Sequence, residues 1–471
     1  MENYIHTEPN VQPDISNTSY LKLPNLHLPG FTNTSTEIKH TDSDRVVFVF
    51  KGTLDRQPDE DVCPYCGKQA HVNAHHKVML HHLGFGFTLT RVEFEKTQFY
   101  CEDCHKSFMQ DVPFQAKNHR ITTALEQYAY DLLANGHTLK DTAEITGLGK
   151  NMVKSIDKKR LQDLYTIDGK TLTQPKHPTK FLGIDEFKLH DGYCFATHII
   201  DLDTGHVLWI EEGKKKQVVY DFIDHVGMEW MGHVEAVACD MNSNYQDAFE
   251  ERCEWIQIVF DHFHIVKNFN EKVVSEVRKD EQRRLLEEGN IEAAEALKKT
   301  RYILTSNRST LQQKDEEARE GKTIRKGSEL FQTEDIHRHE GYEAKYNELL
   351  KENKLLFTID LVKEKLANAY TVKRDEVKMA KEITEIINIC NATENKHLMW
   401  FARLLLNHFE GIIAHATYAI SSGKIEGINN KIKVIRRKGY GYPDDEYFFL
   451  KIIDASHKEY VRNPKSHRIC D

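Results

Sequence analysis

The stretch from Phe181 to Asp261 constrains the fold of this chain most, because its hydrophobic period changes partway along. Three short β-type runs come first: Phe181 to Asp185, Tyr193 to Ile200 and Val207 to Ile210. They are joined through Asp191-Gly192 and Asp203-Thr204-Gly205. Short glycine-containing links between apolar runs are hairpin signals, so these runs are predicted to pair antiparallel. The pattern then turns helical over Gln217 to Val226 and returns to an apolar strand ending at Asp240. A second helix near Tyr245 to Cys253 leads to the strand Ile256 to Phe260. Strands that alternate with helices pair parallel, because a parallel connection needs a crossover. The prediction is one mixed sheet, antiparallel on one side and parallel on the other.

That order of elements is the order of a ribonuclease-H-like α/β core, whose acids sit at strand ends on one face. Two apolar runs here end in an acid, Phe181-Leu-Gly-Ile-Asp185 and Val237-Ala-Cys-Asp240. A third acid, Glu426, opens Glu426-Gly-Ile-Asn-Asn-Lys-Ile-Lys after Ser421-Ser422-Gly423. Three hard oxygen donors suit Mg or Mn held with waters and substrate phosphates. Asp185, Asp240 and Glu426 are therefore the candidate catalytic residues, holding two such ions for chemistry on a phosphodiester. Taken singly, either aspartate reads as a turn or cap residue; their joint placement favours the site. Glu186 adjoins Asp185 and is expected to face the other way, since neighbours on a strand alternate.

On the segment that carries Glu426, Ile425, Ile428, Ile432 and Ile435 recur at helical spacing and should bury one face. Glu426, Asn430, Lys433 and Arg437 then share the adjoining face. Between Lys424 and Lys438 there are six basic residues against Glu426 alone, and Lys433, Arg436, Arg437 and Lys438 are candidate DNA contacts. Asp261 and His264, in Asp261-His-Phe-His264, are possible accessory residues that orient a phosphate or a water; equally, they fit an ordinary cap and a packed imidazole.

Upstream, Cys63-Pro-Tyr-Cys66 and Cys101-Glu-Asp-Cys104 are two Cys-x-x-Cys knuckles. Four thiolates satisfy tetrahedral Zn, so Cys63, Cys66, Cys101 and Cys104 are the candidate structural zinc ligands. His71, His75, His76, His81 and His82 lie between the pairs and leave a mixed Cys/His site open. The run Leu139 to Ile156 has Ala143 where two helices would meet, Gly147 for the turn and Val153 six residues on, the pattern of a helix-turn-helix. Its second helix should start near Lys150 and offer Lys150, Asn151, Lys154 and Lys158, with Lys159 and Arg160, to double-stranded DNA.

At 471 residues the chain exceeds one ordinary domain, and a multidomain α+β organisation is expected. The divisions are a loosely ordered N-terminal arm over 1–45, a zinc-ribbon domain over 46–115 and a helix-turn-helix domain over 116–173. The catalytic core occupies 178–265 and 415–460, interrupted by an all-helical insertion over 266–414, and a tail covers 461–471. Within the insertion, Lys279 to Gly289 and Lys314 to Lys326 are so charged that they read as frayed. A net charge of −9 argues against indiscriminate coating of nucleic acid. No apolar run approaches a membrane span, and the start lacks the basic and apolar regions of a signal peptide, which points to the cytoplasm.

Taken together, the knuckles, the helix-turn-helix, Gly183-Ile-Asp185-Glu-Phe, Asp240-Met-Asn-Ser-Asn-Tyr245, Phe260-Asp261-His-Phe-His264-Ile-Val-Lys267 and Glu426 to Tyr442 resemble bacterial insertion-sequence transposases of the ISL3 family. The resemblance runs from about Val47 to His457. It implies an Asp-Asp-Glu enzyme that binds the terminal inverted repeats of its own element, cuts the DNA and joins it to a target. It also carries the catalytic roles onto Asp185, Asp240 and Glu426. Synapsis of two element ends implies a homodimer or larger assembly, in a bacterial cytoplasm and nucleoid-associated when bound to DNA. His262 departs from the family, where arginine is frequent. The competing readings are a DNA-binding regulator with an inert core and a structure-specific nuclease or resolvase.

Overall fold

A computed structural model describes residues 26–458 except 56–58, 87, 242, 261, 326–333, 338, 419, 421–422 and 440. Asp261, Ser421 and Ser422, most of the predicted arm and the predicted tail lie outside the described residues. The chain divides into two compact units, Met1–Leu164 and Tyr165–Asp471.

In the first unit, strands β1 (Phe31–His40), β2 (Val46–Leu54), β3 (His71–His82), β4 (Leu89–Cys101) and β5 (Lys106–Met109) form one sheet. Its order is β1-β2-β4-β3, with β5 also on β4. β1 corrects the expectation of a loose arm up to residue 45: it pairs antiparallel along β2 from Phe31 to His40. Its Thr and Ile content is what a half-buried strand favours, and Phe31 anchors it against Leu80, Phe94 and Phe114.

Three helices follow, α1 (Thr123–Ala134), α2 (Leu139–Thr146) and α3 (Lys150–Tyr165). Thr138 opens α2 with a reciprocal capping box to Asp141, and Gly147 closes it at φ 73°. A side chain at Gly147 would also strike Leu89, 2.5 Å away. Leu125, Ala129, Leu133, Leu148, Val153 and Ile156 make the core of this module.

The second unit carries the mixed sheet. Strands β6 (Phe181–Lys188), β7 (Phe195–Asp201), β8 (Val207–Glu212), β9 (Ala236–Cys239) and β10 (Gln257–Phe260) are ordered β10-β9-β6-β7-β8. β6, β7 and β8 pair antiparallel, while β6, β9 and β10 pair parallel, as the change of period predicts. Helices α4 (Lys216–Val226), α5 (Ser243–Arg252) and α6 (His262–Asn268) provide the crossovers and the exit from β10.

The insertion is built mainly from α7 (Ser275–Glu287), α8 (Arg308–Arg319), α9 (Tyr342–Glu352), α10 (Lys354–Ala369), α11 (Glu376–Ala392) and α12 (Lys396–Asn407). Of the two stretches expected to fray, Lys279 to Gly289 is largely regular helix, and Lys314 to Arg319 belongs to α8. On α7, Arg284 bridges Glu281 and Glu288, and Asn353 donates to the buried Glu281 at 2.6 Å. These pairings offset the charge that made the segment look unstable. The chain returns as α13 (Gly423–Lys438) and α14 (Asp445–His457). Leu182, Ile184 and Val237 join the core shared with α4, α5 and the insertion. Ile200 and Ala238 join the core shared with Ile425, Ile428 and Ile432 of α13 and with α14.

Candidate functional site

Asp185 lies on β6, two residues beyond Gly183, so the two share a face of the strand. Gly183 is where α13 crosses: a Cβ there would lie 2.8 Å from Ile425 Cδ1. Asp185 meets the same helix one turn later, accepting a hydrogen bond from Asn429 Nδ2 at 2.7 Å on Oδ2. Its Oδ1 accepts from the backbone N–H of Glu186 at 2.8 Å. Burial pushes the Asp185 carboxyl above the usual carboxylate range, against the pull of these two donors, and the charge of Asp240 adds to the rise.

Asp240 follows β9. The parallel register pairs Phe181 with Ala236 and Gly183 with Ala238, so two residues on it sets Asp240 level with Asp185. Neighbouring strands run roughly 4.8 Å apart, which brings both aspartates together at the same end of two adjacent central strands. Asp240 Oδ1 accepts from the N–H of Met241 at 2.6 Å, and His264 on α6 brings Nδ1 to 4.0 Å from it.

Glu426 stands in the first turn of α13 and is exposed. The structure does not gather it with the two aspartates. Among the described residues the one set of three or more ligating side chains within 4.8 Å of one another is the cysteine cluster. The helix buries Ile425, Ile428 and Ile432 as expected, and the residue that reaches Asp185 is Asn429, which the sequence reading did not single out.

Glu186 leaves the strand on the opposite face, as alternation requires. Tyr245 donates to its carboxylate at 3.0 Å and lies 2.9 Å from Thr197 Oγ1. Burial raises the pKa of Glu186 despite that donor. His198 was missed by the sequence reading. It pairs across from Asp185 in the sheet register, is fully buried, and neither ring nitrogen has a hydrogen-bond partner. Burial drives its imidazole down to about 4, so it is neutral at physiological pH. The one sequence signal was a histidine between the apolar residues Phe195-Ala196 and Ile199-Ile200 of a strand.

Two basic residues offered to DNA are engaged inside the protein. Arg436 donates to the carbonyls of Lys188 and Leu189 at 2.7 and 2.9 Å and lies over the rings of Phe187 and Phe448. It locks the β6–β7 hairpin to α13, while Lys433, Arg437 and Lys438 are exposed. Arg160 is 3 % exposed and pairs with the buried Asp157 at 2.8 Å. Of the remaining candidates on α3, Lys150 and Asn151 are exposed, and Lys154 and Lys158 are half-buried.

The four knuckle cysteines converge. Cys63 and Cys104 bring their sulfurs to 3.5 Å, as do Cys66 and Cys101. Thiolates at about 2.3 Å from a tetrahedral Zn sit roughly 3.8 Å apart, so the cluster fits that ion with little adjustment. Among the described residues no histidine joins this set, so the cluster that could hold a metal consists of the four cysteines.

Residues 182–452 match the sequence profile of a transposase family of the DDE, ISL3 type, and residues 110–161 match the helix-turn-helix domain of transposase family ISL3. This chain therefore belongs to the ISL3 family of insertion-sequence transposases. Relatives include the transposase for insertion sequence element IS1001 of Bordetella parapertussis, 27 % identical over 76 % of this chain and 80 % of that one. The transposase for insertion sequence element IS1557 of Mycobacterium tuberculosis is 25 % identical over 55 % of this chain and 56 % of its own. Family and helix-turn-helix together imply DNA binding. Among the described residues no helix is long and apolar enough to cross a membrane.

Proposed function

We propose that this transposase cleaves and joins DNA strands with Asp185, Asp240 and Glu426, on a core of the ribonuclease-H-like kind. One observation carries the reading: Asp185 on β6 and Asp240 directly after the parallel neighbour β9 come together, on the face of β6 that receives the helix bearing Glu426. The strand order, with three antiparallel strands and two parallel ones flanking β6, supports the fold assignment.

Two divalent ions, Mg or Mn, would supply a lowered pKa for the attacking water or 3′-hydroxyl and charge stabilisation for the leaving oxygen. Asp185 and Asp240 offer carboxylate oxygens, and the backbone N–H groups of Glu186 and Met241 orient them. Glu426, exposed in the first turn of α13, is the third ligand of the set in the DNA-bound protein. His264 steadies Asp240, and Lys433, Arg437 and Lys438 contact phosphates beside the site. The helix-turn-helix and the zinc module select the terminal inverted repeats, with phosphate contacts fixing position and base contacts fixing sequence. A homodimer or larger synaptic assembly in the cytoplasm belongs to the same proposal.

The test is cleavage of a terminal-repeat duplex with and without Mg. Asp185→Ala, Asp240→Ala and Glu426→Gln should each abolish cutting while leaving repeat binding intact. Cutting that survives any of the three removes that residue from the site. Repeat binding by the wild-type protein with no cutting in the presence of Mg favours a regulator with an inert core.

A further inference from the structure

Asn429 joins two segments that both bear proposed ligands, yet its own side chain is only half used. Its Nδ2 donates to Asp185 Oδ2 at 2.7 Å. Its Oδ1 is buried and has no hydrogen-bond partner. The amide orientation is fixed by this neighbour, because the flipped side chain would turn oxygen against a carboxylate. A buried polar oxygen left unpaired is uncommon and calls for an explanation.

Docking of α13 does not supply one. Ile425, Ile428 and Ile432 already bury the helix against the sheet, with Ile425 filling the space over Gly183. An apolar residue at 429 would dock as well without stranding an oxygen. A carboxylate offers about four lone-pair sites. With Glu186 N–H on Oδ1 and Asn429 Nδ2 on Oδ2, each oxygen of Asp185 keeps a site open for a cation while its orientation is fixed. Asparagine carbonyl oxygens are themselves ligands of hard divalent ions.

Resting on the reading of Asp185 as a metal ligand, we propose that Asn429 is a positioning residue: it orients the Asp185 carboxylate for a divalent cation and adds its own side-chain oxygen to that cation's surroundings. It also ties the turn that carries Glu426 to the strand that carries Asp185, so cation binding and the seating of α13 are linked.

The experiment is titration of the full-length protein with Mn²⁺ followed by electron paramagnetic resonance. The comparison set is wild type, Asn429→Leu, Asn429→Ala and Asp185→Ala, each also assayed for melting temperature and terminal-repeat binding. The Asn429 variants should weaken Mn²⁺ binding about 10- to 100-fold, the range that removing an orienting partner costs a metal site. Repeat binding should not change, and cleavage should recover at high Mn²⁺. Wild-type Mn²⁺ affinity in a folded Asn429→Leu or Asn429→Ala protein overturns the inference. Asp185→Ala separates the two levels. If it abolishes Mn²⁺ binding while the Asn429 variants bind normally, only the role of Asn429 falls. If Asp185→Ala also binds normally, the catalytic reading falls with it.

Discussion

Ile425 fills the space that a side chain at Gly183 would need, its Cδ1 lying 2.8 Å from where a Cβ on that glycine would stand. Leu202 closes the same space at 2.9 Å, so the helix α13 has no slack over β6. Gly183→Ala should force Ile425 and its helix outward. Overpacking of this kind costs about 1–3 kcal/mol. Because Glu426 and Asn429 ride on the same helix, cleavage of a terminal-repeat substrate should fall at least tenfold while repeat binding holds. A thermal melt alongside the cleavage assay checks both parts, and unchanged cleavage would mean that the spacing of helix and strand is not critical.

Removal of zinc should act on the first unit. Cys63→Ser or Cys101→Ser should lower bound zinc from one equivalent to none, measured by elemental analysis, and should abolish repeat binding. Cys101 ends β4 and is fully buried, so its loss propagates into the five-stranded sheet. The unfolding transition of Tyr165–Asp471 should stay where it is.

On α3, Lys150→Ala should weaken repeat binding uniformly across sequences and lower the slope of log affinity against log salt by about 1, as loss of one phosphate contact does. Asn151→Ala should relax base preference at one position and leave the slope alone. Arg160→Ala serves as the contrast. It removes one partner of a buried ion pair, which costs about 3–5 kcal/mol, and so should unfold the module rather than change its specificity.

What the sequence made legible was whatever has a local period or fixed spacing. The β6–β8 hairpins, the switch to parallel pairing, the turn at Gly147 and the cysteine knuckles all signal themselves within a few residues. That the strands leading to Asp185 and Asp240 are neighbours also followed, from the order of hairpins and crossovers. Contacts across long separations were not legible. Asn429 meets Asp185 across 244 residues, and nothing near either one marks it over Asn430. Arg436 looks like one more cation in a basic run until its two terminal nitrogens are seen to donate to the carbonyls of Lys188 and Leu189. β1 was hidden by its polar composition, since only Phe31 among its residues is fully buried.

The insertion holds a buried amine whose titration should be visible in stability. Lys363 donates to the carbonyls of Leu304 and Ser306 at 3.0 and 2.8 Å and to the hydroxyl of Tyr346 at 2.9 Å. Tyr346 in turn donates to Asp360, which also pairs with Arg308. Burial lowers Lys363 from 10.5 to about 8, although Asp360 pulls the other way. The folded state therefore releases this proton more readily than the unfolded chain. Between pH of about 8 and 10.5 the unfolded state binds more protons, so stability rises with pH across that window. Below it, the buried charge costs the fold on the order of 3 kcal/mol. Lys363→Met removes this titration together with three hydrogen bonds. Urea unfolding at several pH values should show the wild-type midpoint climbing from pH 8 relative to the variant's, with the difference levelling off above 10.5. Parallel profiles for the two proteins would mean that Lys363 keeps an ordinary pKa within the insertion.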